Sequence, residues 1–139
     1  MHRMIKIKNT FATALLFVVV VFVFSGNAFA QQDFGRLPPE EALEYMKKTP
    51  NVFILDVSPS EKFAAEHFID SENIPHNELL SRINEIPADR PLLIHCRVGR
   101  TCVKAYPLVK KMRPDIKQVS YIAGRPLFAE YNSWIQTKK

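Results

Sequence analysis

Apolar positions along the 139 residues are arranged in distinct ways, and each arrangement predicts a different kind of element. Short unbroken runs come first to notice. VFILDV, ending near Asp56, and LLIHC, from Leu92 to His95 and on to Cys96, are bounded by turn-forming residues and rich in β-branched or aromatic side chains. That is the pattern of strands buried on both faces. IKQVSYIA is a third strand candidate.

Between these runs the apolar residues take helical spacing. LPPEEALEYMKK predicts an opening helix: Pro39 suits the first turn, Glu40 and Glu41 the positive end of the dipole, and Lys47 and Lys48 the negative end. Pro50 and Asn51 break it. SPSE fits a capping box, with Ser58 as N-cap, Pro59 at the first helical position and Glu61 three residues after the cap. Phe63, Ala64 and His67 then lie on successive turns of a short helix. DSENIPHNELLSRI predicts a turn or brief strand around Asn73 to Pro75, then a helix from about Asn77 to Ile83 with Leu79, Leu80 and Ile83 as its apolar stripe. RTCVKAYPLVKKM is helical in pattern, with Val103, Tyr106, Leu108 and Val109 available for burial and Pro107 expected to kink it. GRPLFAEYNSWIQTKK reads as a turn and a closing helix that turns Phe128, Tyr131, Trp134 and Ile135 inward.

Strands alternating with helices imply an α/β fold: a small parallel sheet flanked by helices on both faces, with right-handed crossovers. In such sheets the ligand site lies beyond the carboxyl ends of the strands. Asp56 and Cys96 both fall at those ends.

The remaining apolar block changes the picture of the chain as a whole. Thr10 to Phe24 is uncharged and almost wholly apolar, preceded by Arg3, Lys6 and Lys8 and followed by SGNAFA, which ends in Ala28-Phe29-Ala30. Basic, apolar, then small is the order of a secretory signal peptide. The block is shorter than the roughly 20 residues that cross a bilayer comfortably. The expectation is a cleaved signal over residues 1–30 and a mature periplasmic domain from Gln31 to Lys139, meeting the membrane only during export; the alternative is an uncleaved amino-terminal anchor. Losing the signal lowers the net charge from +5 to +2, so the basic balance points to no nucleic-acid partner.

Both cysteines, Cys96 and Cys102, belong to the mature chain. In an oxidising compartment a pair suggests a disulfide. A bridge closing so short a loop, however, removes little unfolded-chain entropy. The loop CRVGRTC offers a different use. A tight turn entering a helix aims several backbone N–H groups at one point, and the helix start adds partial positive charge. Gly99 admits a backbone angle that other residues resist, and Arg97 and Arg100 add formal charge. A sulfur at the centre would have a lowered pKa and be nucleophilic at neutral pH. The bland readings are Cys96 as a small buried hydrophobe, the arginines as a solvated surface, and Cys102 as packing in a first helical turn or as a redox partner. Strand alternation points His95 away from Cys96, into a packed or hydrogen-bonded position. A tyrosine phosphatase loop needs an arginine six positions after its cysteine to clamp a phosphoryl group. Cys102 stands at that position here, and Arg100 comes too early.

At these residues the chain resembles the rhodanese-like sulfurtransferases, and the resemblance covers essentially the whole mature domain. FILDVSPSEKFAAEHFIDSENIP is similar to the family's first signature, LIHCRVGRTC to its active-site strand and loop, and YIAGRPLFAEYNSWI to its closing segment. Small exported single-domain members are the most similar subgroup. Departures from the family pattern are Ser58 where many members carry arginine, Glu66 for the glycine before His67, Arg125 for the second glycine of the closing turn, and Thr101 and Cys102 late in the loop.

The resemblance implies that Cys96 attacks the outer sulfur of a small anionic donor such as thiosulfate and holds a persulfide, which cyanide or a small thiol then discharges. It implies an anion cradle made of Arg97, Val98, Gly99, Arg100, Thr101 and Cys102, with Asp56 and His67 as structural supports. It calls for no metal and no organic cofactor, and the expected state is a monomer. The rivals are a thiol–disulfide or redox-sensing role for Cys96 and Cys102, and a non-catalytic binding module.

Overall fold

The computed structural model describes residues 35–139. The expected signal peptide and the start of the mature chain lie outside them. Strand β1 (Arg36–Leu37) leads into helix α1 (Pro39–Lys48), then β2 (Phe53–Asp56), α2 (Ser60–Ala65), β3 (Ser71–Asn73) and α3 (His76–Leu79). A 3-10 turn (Ile83–Glu85) precedes β4 (Leu92–His95), α4 (Thr101–Met112), β5 (Val119–Ile122) and α5 (Phe128–Gln136). All strand pairings are parallel, in the order β1-β5-β4-β2-β3.

Strand alternation sends the apolar residues to two separate cores. Leu55, Val57, Leu92, Ile94 and Val119 pack with Leu79 of α3, Ile83 of the 3-10 turn and Cys102, Ala105 and Val109 of α4. Leu37, Ile54, Leu93 and Ile122 pack on the other face with Ala42, Leu43 and Met46 of α1, and with Phe68, Phe128 and Tyr131. A sheet covered on both sides explains why β2 and β4 read as unbroken apolar runs.

Helix α1 follows its sequence signals. Pro39 opens it, Lys47 and Lys48 lie within 3.4 Å of Glu44, and Asn51 (φ 60°) takes the left-handed conformation that ends the turn beyond it.

The structure corrects the sequence reading at several points. β1 was not expected; its two residues pair with Tyr121 and Ile122, too short a segment to show a period. Ser58 is not the cap of α2, which starts at Ser60 after Pro59 and has no side-chain cap. Its backbone N–H is held by the Asp56 carboxylate at 2.8 Å, so the residue turns toward the β4 loop and is buried. The helix expected over Asn77 to Ile83 ends at Leu79, and Ile83 reaches the core from the separate 3-10 turn. Leu80 is therefore 57% exposed, since the presumed stripe belongs to two elements. In α4 the buried positions are Cys102, Ala105 and Val109, at helical spacing, which leaves Val103 on the outer side at 49% exposure. The helix runs on through Pro107 to Met112.

Candidate active site

The sheet order places β2 and β4 side by side while their outgoing connections lead to opposite edges. β3 lies beyond β2, and β5 lies beyond β4. The strand ends between such diverging connections form a natural crevice. Asp56 and His95 are register partners at that point.

The end of β2 is tied down from several directions. Asp56 is buried, and its carboxylate oxygen Oδ1 accepts the Ser58 N–H. The amide nitrogen of Asn73 donates to the carbonyls of Asp56 and Ser58, both at 2.9 Å. The hydroxyl oxygen of Ser58 accepts the backbone N–H of Arg97 at 3.0 Å. This last bond joins the β2 loop directly to the loop that follows Cys96.

Cys96 is only 3% exposed and lies on the aliphatic face of the sheet, at the foot of the 97–102 loop. Its sulfur accepts the backbone N–H of Cys102 at 3.5 Å, within the sulfur range. The Cys102 N–H belongs to the first turn of α4, where backbone donors have no carbonyl of their own helix to meet. The Cys96 thiol is pulled down to about 5, first by the Cys102 thiol and then by the N–H groups of Cys102, Val98 and Thr101, against the opposing effect of burial. At neutral pH the residue is a thiolate.

Gly99 makes the loop's path possible. Its φ is 81°, and a Cβ there would sit 2.7 Å from the Cα of Gly124 and 2.9 Å from its carbonyl oxygen. Gly124 in turn (φ 141°) backs onto Pro39 of α1, whose Cγ would lie 3.1 Å from an added Cβ. The loop after Cys96 therefore meets the turn after β5 backbone against backbone, and that turn rests on the Pro39 ring at the start of α1.

The other expected cradle residues differ in exposure. Arg97 and Thr101 are half-buried, Arg100 is exposed and Val98 is 53% exposed at the loop crest. Cys102 is fully buried, and its thiol donates to the Ile122 carbonyl at 3.2 Å. The neighbouring Cys96 sulfur and then burial push that thiol far upward, so it keeps its proton.

His67 follows α2 and is part-buried. Its ring stacks on Phe63 at 4.2 Å, and Nδ1 lies 2.7 Å from the Phe63 carbonyl. Asn132 of α5 grips this segment, donating to the His67 carbonyl and accepting the Ile69 N–H, both at 2.9 Å. His95 points away from Cys96 and is wholly buried against the edges of Phe68 and Phe128. Among the described residues neither ring nitrogen has a hydrogen-bond partner, and Nδ1 lies 3.9 Å from the Asp56 carboxylate. Burial lowers its pKa to about 4, with Asp56 opposing, so the imidazole is neutral.

Two of the departures from the family pattern meet here. Arg125 and Glu66 form an ion pair at 2.8 Å on the rim of a 370 Å³ cleft shared with Pro39 and the start of α5. Sequence reasoning also missed Asn73 and Ser58 as braces. A polar residue directly before Ile74-Pro75, in NIP, was the available signal for Asn73; nothing local marked Ser58 as a partner of Arg97. No group of three or more His, Cys, Asp or Glu side chains able to hold a metal ion occurs among the described residues.

Comparison with known proteins agrees with this architecture. The chain is 34% identical over 92 residues to the HTH-type transcriptional regulator Rv0324 of Mycobacterium tuberculosis, matching 63% of this chain and 37% of the regulator. It is 32% identical over 73 residues to the thiosulfate sulfurtransferase GlpE of Pseudomonas putida, matching 52% of this chain and 66% of that enzyme. The chain thus spans a little over a third of the one and just under two thirds of the other. Among solved structures, SSP1007 from Staphylococcus saprophyticus superposes with a TM-score of 0.57 at 18% identity, covering 70% of this chain and 92% of that one. A rhodanese-related protein from Thermoplasma volcanium gives 0.56 at 19% identity, covering 75% and 93%. These structural likenesses carry the fold alone. The rhodanese-like domain model matches residues 38–124, from the first turn of α1 through β2, the Cys96 loop and β5 to Gly124 where it backs onto that loop, and the chain accordingly belongs to the rhodanese-like family.

Proposed function

We propose that this protein is a sulfurtransferase that carries sulfane sulfur on Cys96. The observation that carries the reading is a nearly buried sulfur held as a thiolate by donors converging from one loop. Such a sulfur attacks the outer sulfur of thiosulfate or a similar donor. The new S–S bond forms as the donor's own S–S bond breaks, its electron pair leaving with sulfite. The product is a persulfide anion on Cys96. Cyanide or a small thiol then attacks the terminal sulfur, and the electron pair of the Cys96–S bond returns to Cys96 as thiolate. The same amides that lower the thiol's pKa stabilise anionic sulfur throughout. Likeness to an enzyme named thiosulfate sulfurtransferase favours thiosulfate as the first donor to test.

The phosphatase alternative finds no support in the loop, because a buried thiol rather than a guanidinium occupies the sixth position after Cys96. Against a thiol–disulfide role stands the state of Cys102, whose proton is retained and engaged. A thiol in that state attacks a disulfide or sulfenate slowly.

Mass spectrometry of the reduced protein after thiosulfate treatment tests the proposal. One sulfur atom should be gained on the peptide holding Cys96, and Cys96→Ser should lose both that gain and thiocyanate formation from thiosulfate and cyanide, by about a thousandfold or more. A serine variant that still makes thiocyanate would refute the nucleophile. Export is proposed on the basic–apolar–small order of residues 1–30. Amino-terminal sequencing of the purified protein should begin at Gln31, and a start at Met1 would refute cleavage.

A further inference from the structure

We propose that the outward stripe of α4 is a docking surface for an acidic protein whose own thiol takes the sulfur from Cys96. Every other α-helix among the described residues opens with an acid in its first turn: Glu40 and Glu41 in α1, Glu61 in α2, Glu78 in α3 and Glu130 in α5. Helix α4 has none there. It is entered through Arg100, and Lys104 follows one turn later. No Asp or Glu occurs anywhere from Arg90 to Pro114. Cations at a helix start meet the positive end of the dipole, so stability alone would place acids there, as it does in the other helices. Carboxylates from elsewhere do not relieve the charge. Among the described residues Arg82, Arg113 and Arg125 each pair with a carboxylate, whereas Arg97, Arg100, Lys104 and Lys111 pair with none.

The exposed side chains form one face. Arg100, Val103, Lys104, Pro107 and Lys111 follow the i, i+3, i+4, i+7, i+11 spacing of a single helical stripe, and all of them are exposed. Just before its start, Val98 stands exposed on the crest of the loop that has Cys96 at its foot. At 1.5 Å of rise per residue the stripe extends roughly 16 Å along the helix. The loop amides suffice to hold a small anion. Charge spread so far beyond them matches a partner with carboxylates along its own surface. Two valines among these cations are too little apolar area to enter a bilayer, and a lipid has no use for the sulfur at the origin of the stripe. That the partner accepts sulfur rests on the function proposed above. Its thiolate attacks the terminal sulfur of the Cys96 persulfide. The new S–S bond forms on the partner, the Cys96–S bond breaks, and the electron pair stays with Cys96 as thiolate.

Two synthetic peptides, EDLCLDE and KKLCLKK, test this when each is activated at its cysteine as a 2-thiopyridyl disulfide. In the full chain the Cys96 thiolate attacks the peptide sulfur and releases pyridine-2-thione, which is read by absorbance. Peptide mass confirms Cys96 as the site, and Cys96→Ser supplies the blank. Each rate is divided by that peptide's rate with a small neutral thiol. At low ionic strength the acidic peptide should react about tenfold or more faster than the cationic one, and salt should erase the preference. Lys104→Glu combined with Lys111→Glu should remove most of it. Lys47→Glu combined with Lys48→Glu makes the same change in net charge on α1 and should leave it in place. Lys104→Gln combined with Lys111→Gln gives the same reading at half the change in charge if the glutamates disturb the fold. Equal rates for the two peptides would overturn the proposal, as would a preference lost equally in the α1 variant. Phosphatidylglycerol vesicles held through Lys104 and Lys111, without a peptide preference, would give the face to a membrane instead. The exchange needs only a thiolate at Cys96, so the two proposals fail separately. A peptide preference in a protein that takes no sulfur from thiosulfate would sink sulfur transfer and leave the docking face standing. A persulfide that forms in a protein indifferent to peptide charge would do the reverse.

Discussion

The two faces of the sheet are built from different materials. The face that holds Cys96 and Cys102 has an aliphatic core of leucine, isoleucine, valine and alanine, against which α3, the 3-10 turn and α4 pack. The opposite face sets Phe68 and Phe128 against the buried ring of His95, with Tyr131 packed on Phe68. Cys96 and His95 are neighbours in the chain, yet the two-residue period of a strand sends them to different environments. On the aliphatic side the Cys96 sulfur meets the Cys102 backbone N–H, and the amides of the loop favour its anion. On the aromatic side a cation would be poorly solvated, and the imidazole stays neutral. The contrast separates the Cys96 sulfur from the His95 imidazole next to it in the chain, so the sulfur's low pKa comes from loop donors and not from that ring.

The comparison can be broken most directly at Gly99. Alanine there must take a φ of 81° and push its Cβ into the backbone of Gly124. A loss of about 3 kcal/mol or more is expected, read from urea unfolding, together with an upward-shifted alkylation midpoint for Cys96. Unchanged stability would mean that the loop does not lean on the closing turn.

The next effect sharpens the division between the faces through pH. His95 has its folded pKa lowered from 6.5 to about 4, so between those values the unfolded chain binds a proton that the native chain refuses. Stability must therefore fall as pH drops through that window. His95→Leu should remove a part of this fall on the order of 2 to 3 kcal/mol, seen by comparing unfolding curves near pH 7 and near pH 4. Cys96 reactivity should ignore the same window until about pH 5, where the sulfur takes a proton. An inflection in alkylation near 6.5 that vanishes in His95→Leu would restore the histidine to the chemistry.

The smallest effect belongs to the brace between the two loops. Ser58→Ala leaves the Arg97 N–H without its acceptor and should cost about 1 kcal/mol. The Cys96 midpoint should move little, because the donors that set it come from Val98, Thr101 and Cys102. A shift of about one pH unit or more would make Ser58 part of the cradle itself.

Much of this was legible along the chain because it depends on near neighbours. Unbroken apolar runs marked β2 and β4, Pro39 with its flanking charges marked α1, and a glycine within CRVGRTC marked a loop able to turn its amides inward. The opposite orientations of His95 and Cys96 follow from period two alone. β1 escaped because two residues show no period and gain their strand character only from pairing with β5. Ser58 was misread because SPSE is a sound capping signal locally, and the Asp56 carboxylate outcompeted it. The stripe of Leu79, Leu80 and Ile83 failed for a related reason: equal spacing cannot tell one helix from a short helix followed by a separate turn.

By itself the sequence determined the alternation of strands and helices, the loop that follows β4, and the residue types able to make a sulfur anionic there. Tertiary structure decided which distant groups complete that loop: Ser58 on Arg97, Gly124 behind Gly99, and the Ile122 carbonyl beside Cys102. Local patterning records which face a residue presents. It cannot record which partner, brought from 20 or more positions away by the sheet order, will be found opposite.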